Sequence, residues 1–169
     1  SALMRIYEGS PRQDWEEVLR TIGSYADHER FKELLLLELE GGFILQALTI
    51  PNAGAWSESS GSLAKRTIEL PDERIGELMD EAAARRAGGK PEVPETDLAN
   101  YYEQALRVIG AYVDTQKVRE LFFFEQEGSF VLRLLTAASG GSTAHQLVEF
   151  TKEDILARIG EAPQQRGGA

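Results

Sequence analysis

Apolar residues recur at helical spacing in two stretches of the chain. Trp15, Val18, Leu19, Ile22, Tyr25 and Ala26 form one stripe, and Tyr102, Ala105, Leu106, Ile109, Tyr112 and Val113 form another. Ahead of the first, Ser10-Pro11-Arg12-Gln13 reads as a capping box with proline at the first helical position. After each stripe the helical period gives way to apolar runs broken at Glu40-Gly41-Gly42 and Glu127-Gly128-Ser129, short glycine turns that predict two hairpins. A third strand, at 65–70 or 145–150, leads into a helix behind Pro71-Asp72-Glu73 or Thr151-Lys152-Glu153-Asp154. Acidic residues suit that position because the helix dipole is positive there.

The two stretches are copies of one pattern. Laid over one another at an offset of 87 residues, Glu16 to Thr49 and Glu103 to Thr136 share 16 identities in 34 positions without a gap. The match resumes at an offset of 80, where Ile68-Glu69-Leu70 lies over Val148-Glu149-Phe150, so the first copy has a loop 7 residues longer. The expected fold is therefore α+β: a tandem duplication of an α-β-β-β-α unit, with antiparallel sheets, helices packed on one face and pseudo-twofold symmetry. The expected organisation is an N-terminal segment at 1–9, a first repeat at 10–87, a linker at 88–96, a second repeat at 97–162 and a flexible tail at 163–169.

Strand parity extends this picture, since paired residues project to the same side of a sheet. With a hairpin loop of even length, Leu34, Leu36, Glu38, Phe43, Leu45 and Ala47 share one face, and Leu35, Leu37, Leu39, Ile44, Gln46 and Leu48 share the other. The second copy repeats this, with Leu121, Phe123, Phe130, Leu132 and Leu134 against Phe122, Phe124, Val131 and Leu135. Two helices cover one face of three strands, so another layer must bury the second: the other copy or another chain. If the sheets join edge to edge, Leu35, Leu37, Ile44, Leu48, Phe122, Phe124 and Leu135 are left as a partner-binding surface, and a homodimer through the sheet is expected. Gln46 and Arg133 suit a partly wet interface. Trp56, on the longer polar loop of the first copy, is a further candidate anchor for a protein or peptide partner.

Composition narrows the partners. With 18 basic against 28 acidic residues the formal net charge is −10, and the residues up to 90 and those beyond carry −5 each, a field that repels phosphate backbones and anionic lipid. Nucleic acid is thus an unfavoured partner and no membrane partner is expected. No apolar stretch reaches the roughly 20 residues of a membrane span. Ser1-Ala2-Leu3-Met4-Arg5 lacks the apolar core of a signal peptide, and the expected location is cytoplasmic. The chain has no cysteine, which excludes disulfides, thiolate metal sites and cysteine nucleophiles.

Candidate chemistry is sparse. Glu38 and Glu125, Glu40 and Glu127, and Glu69 and Glu149 recur in both copies, as paired carboxylates of a hydrolase or oxygen-ligand metal site would, although strand-margin glutamates are ordinarily solvated. His28 and His145 fall at non-equivalent positions outside any ligand motif. Gly23 and Gly110 sit inside helices at a cost of about 1 kcal/mol against alanine, which predicts close approach of helix to sheet. Ser139-Gly140-Gly141-Ser142-Thr143 lacks a P-loop lysine and precedes a strand, so it reads as a connecting loop.

The element order resembles in topology that of the double-stranded RNA-binding domain. The lysine-rich helix start of that family is replaced here by Asp72-Glu73-Arg74 and Lys152-Glu153-Asp154, and no RNA-binding residue carries over. In acidity and size the chain also looks like the small chaperones of type III secretion, whose elements are not duplicated. The expected function is a non-enzymatic acidic protein-interaction module, adaptor or chaperone-like, with no cofactor, metal or catalytic residue assigned. The alternative is a carboxylate-based enzyme or divalent-metal protein using the repeated glutamates.

Overall fold

The computed structural model describes residues 14–49, 64–88, 101–137 and 143–167. Trp56, the capping box at Ser10 and the Ser139 to Ser142 loop lie outside the described residues. The elements in chain order are α1 (Asp14–Glu29), β1 (Lys32–Leu39), β2 (Gly42–Thr49), β3 (Ala64–Pro71), α2 (Asp72–Gly88), α3 (Tyr101–Asp114), β4 (Val118–Gln126), β5 (Ser129–Ala137), β6 (Thr143–Phe150) and α4 (Lys152–Gly167).

The six strands form one antiparallel sheet in the order β3-β2-β1-β4-β5-β6. The sequence leaves open whether two sheets stack or join; they join through β1 and β4, with Leu35 opposite Phe124, Leu36 opposite Phe123 and Leu37 opposite Phe122. Both hairpins turn on two residues, Leu39 pairing with Gly42 and Gln126 with Ser129. Gly41 and Gly128 take positive φ in those turns, where a side chain is disfavoured. The even loop length sets the parity expected from the pattern.

The four described helices contribute to a single core on one face of the sheet. Leu34, Leu36, Phe43, Leu45, Leu121, Phe123, Phe130 and Leu132 are buried there beneath Leu19, Ile22, Leu106 and Ile109 of the central helices and Ile75, Leu78 and Ile155 of the outer ones. Ring contacts tie the layers, Trp15 standing edge-on to Phe43 at 6.1 Å and Tyr102 to Phe130 at 6.5 Å.

The intrahelical glycines act differently from expectation. A Cβ at Gly23 would collide with the Tyr102 carbonyl, and one at Gly110 would meet the Trp15 carbonyl oxygen at 2.5 Å. The close approach is therefore helix to helix, not helix to sheet: each glycine admits the first turn of the other central helix. Asp27 then accepts hydrogen bonds from the Tyr102 and Glu103 amides at 3.0 and 2.8 Å, and Asp114 from those of Trp15 and Glu16 at 3.0 and 3.1 Å. Each helix thus receives at its N-terminus a cap from the C-terminal turn of the other, satisfying amides that have no partner within their own helix.

Candidate functional site

The repeated glutamates do not gather. Glu38 and Glu125 project to the helix side, at the seam between β1 and β4. Glu38 accepts from the Leu121 amide at 2.8 Å, and Glu125 from the Leu34 amide at 3.1 Å and the Tyr102 hydroxyl at 2.7 Å. Beside them, register shifts interrupt β1 between Lys32 and Leu35 and β4 between Val118 and Glu120. The carboxylates supply acceptors where the strand ladder runs out. Burial outweighs these bonds and raises the Glu125 carboxyl above its ordinary value.

Glu69 and Glu149 stand on the two outermost strands, opposite Ile44 and Val131 on the other side of the sheet. Glu40 and Glu127 occupy the hairpin turns. His28 is exposed in the last turn of α1 and His145 is exposed on β6. Among the described residues, no group of three or more histidine, aspartate or glutamate side chains is arranged to hold a metal ion.

Charged groups also meet between the central helices. The buried Glu103 carboxylate takes Arg20 at 3.0 Å and Arg86 at 3.1 Å, and Arg107 approaches Glu16 at 3.9 Å. These pairs lie beside the capping aspartates and link α1, α2 and α3. Their chemistry is occupied by the fold.

The face away from the helices is the candidate site. Rows of side chains cross all six strands. One reads Thr67, Gln46, Leu35, Phe124, Val131, Glu149, and the next Glu69, Ile44, Leu37, Phe122, Arg133, Leu147. Leu35, Leu37, Ile44, Leu48, Phe122, Phe124 and Leu135, expected as one surface, do lie on one face, and each is only half-buried. Leu39 at 44% and Leu147 at 72% are exposed. Phe122 and Phe124 pack side by side at 6.0 Å, and the Arg133 guanidinium rests 5.5 Å above the Phe122 ring.

The partner-surface set drawn from sequence omits Leu147, whose register opposite Arg133 follows only once β5 and β6 are paired. The interhelical caps were also missed, although Asp27 and Asp114 are identical at the repeat offset. No helix among the described residues is long and apolar enough to cross a membrane. Comparison with protein-family models, curated proteins and solved structures found no significant match, and the sheet face stands on its own geometry.

Proposed function

We propose that this chain is a non-enzymatic protein-interaction module, adaptor or chaperone-like, whose contact surface is the sheet face opposite the helices. The observation that carries this reading is the exposed Leu147 and Leu39 around the half-buried row Ile44, Leu37 and Phe122. Contiguous apolar patches on soluble proteins are commonly contact sites, and aromatic residues in such patches are favoured anchors. The commitment of Glu38 and Glu125 to backbone amides supports a structural rather than catalytic use of the repeated glutamates.

The same reading includes origin by tandem duplication. Its support is the matching element order and the exchange of caps between residues identical at the repeat offset. An internal pseudo-twofold axis through the β1–β4 seam then accounts for the mirrored order of side chains in neighbouring rows.

The test is a photo-crosslinking amino acid at position 147, introduced into the full chain within its own cells. A crosslinked polypeptide, lost when Phe122 and Phe124 are both changed to serine with the helical circular dichroism unaltered, is the expected result. Absence of any crosslinked polypeptide overturns the reading, and so does crosslinking that the serine changes leave intact.

A further inference from the structure

We propose that the open sheet face is covered by a second copy of this chain, stacked sheet to sheet; this rests on the reading of that face as a contact surface and names its partner. The first argument is charge. By register, the charged residues on this face are Lys32, Lys65 and Arg133 against Glu69, Glu120 and Glu149, all exposed, three of each sign. The chain as a whole carries −10, so its excess acid lies away from this face. A basic partner finds its electrostatic match elsewhere on the protein, and an anionic partner finds none. An apolar surface whose charges sum to zero sets up no net repulsion against a second copy of itself, whereas the acidic chain as a whole does.

The second argument is area. Six strands at ~4.8 Å spacing and eight residues at ~3.3 Å rise give a footprint of roughly 29 by 26 Å. That is about 750 Å² on each copy, close to the ~800 Å² per partner of a stable interface. A smaller ligand or a single peptide strand leaves most of it wet.

The third is shape. Leucines of β1 sit directly opposite phenylalanines of β4 within the sheet. A twofold axis parallel to that seam and midway between the two sheets places Leu35 over Phe124 of the second copy and Leu37 over its Phe122, large against small, as facing sheets interdigitate. The helices then form the two outer layers of the assembly and carry the acidic excess outward.

Sedimentation equilibrium of the full chain at micromolar concentration is the test. The expected result is a dimer for the wild type that weakens by about tenfold or more in Leu39→Glu and in Leu147→Glu. Both positions are exposed, so neither change disturbs the monomer's packing, and Glu73→Ala on the outer surface of α2 leaves the dimer intact. Raising sodium chloride from about 50 to about 300 mM strengthens the dimer, since screening relieves repulsion between two −10 chains while the contact itself is neutral. A wild type that stays monomeric overturns the second copy as occupant; crosslinking from position 147 to a different polypeptide then leaves the proposed function standing. A dimer equally stable in both glutamate variants also overturns it, because Leu39 lies on a central strand that edge-to-edge pairing does not touch.

Discussion

Glu38 and Glu125 each bond to the strand that carries the other. Glu38, on β1, accepts from the Leu121 amide of β4, and Glu125, on β4, accepts from the Leu34 amide of β1. Direct pairing between these strands spans only three residues on each side, Leu35 to Leu37 against Phe122 to Phe124. The two carboxylates extend that short seam at both ends, and through it the six strands become one sheet. A single sheet, in turn, gathers the described helices on one side and leaves the other side uncovered by them.

Replacing either glutamate by alanine strands a buried amide. The expected cost is about 2 kcal/mol for each, from the loss of a charge-assisted bond and the desolvated donor left behind. Glutamine keeps an acceptor oxygen and should recover most of it. Urea midpoints of the four single variants check this; alanine variants as stable as the glutamine ones show that the amides find other partners.

Gly23→Ala and Gly110→Ala test the helix crossing. In an exposed helix such a change stabilises by about 1 kcal/mol. Here the new methyl meets the backbone of the opposing first turn, which moves only if the helices part and the aspartate caps stretch. A net loss of about 2 to 3 kcal/mol is expected for each, within the range of overpacked cores. Thermal unfolding read by circular dichroism gives the sign directly, and a gain in either variant contradicts the tight crossing.

The elements and their parity were legible because alternation and glycine turns are local signals. Leu35, Leu37, Phe122 and Phe124 could be assigned to one face before any pairing was known. What the chain does not write locally is which edges meet. The same alternating strands serve a stacked sandwich or a single joined sheet, and the choice rests on β1–β4 contacts more than 80 residues apart in sequence. For that reason Glu38 and Glu125 read locally as strand-margin acids, and the glycines as helix-to-sheet contacts. Identity at the repeat offset marked Asp27 and Asp114 as constrained, but only the antiparallel crossing of α1 and α3 turns two C-terminal aspartates into caps for each other's helix.

The Asp27 carboxyl gives the fold a pH dependence of definite sign. Burial pushes it from an ordinary value of 3.8 up to about 6, with the nearby Glu103 charge adding to the rise, while the Glu103 and Tyr102 amides and Lys32 oppose it. A carboxyl that binds its proton more tightly folded than unfolded stabilises the fold fully below its unfolded value, and that contribution is lost as pH rises through about 6. At a shift of about two units, the difference is on the order of 3 kcal/mol. Glu125, raised mainly by burial, acts in the same direction. The urea midpoint of the wild type should therefore rise as pH is lowered from about 7 to about 5, the window in which the folded Asp27 takes up its proton. Asp27→Asn should flatten this rise. Near pH 7 it should also remove one cap, because an amide offers one acceptor oxygen where the ionised carboxylate serves both the Tyr102 and Glu103 amides. A midpoint-against-pH profile for both proteins reads the titration as the difference in slope between them. An asparagine variant with the wild-type slope would assign the pH dependence to other carboxyls, and a wild type whose stability falls on acidification across this window would reverse the sign derived from Asp27 burial.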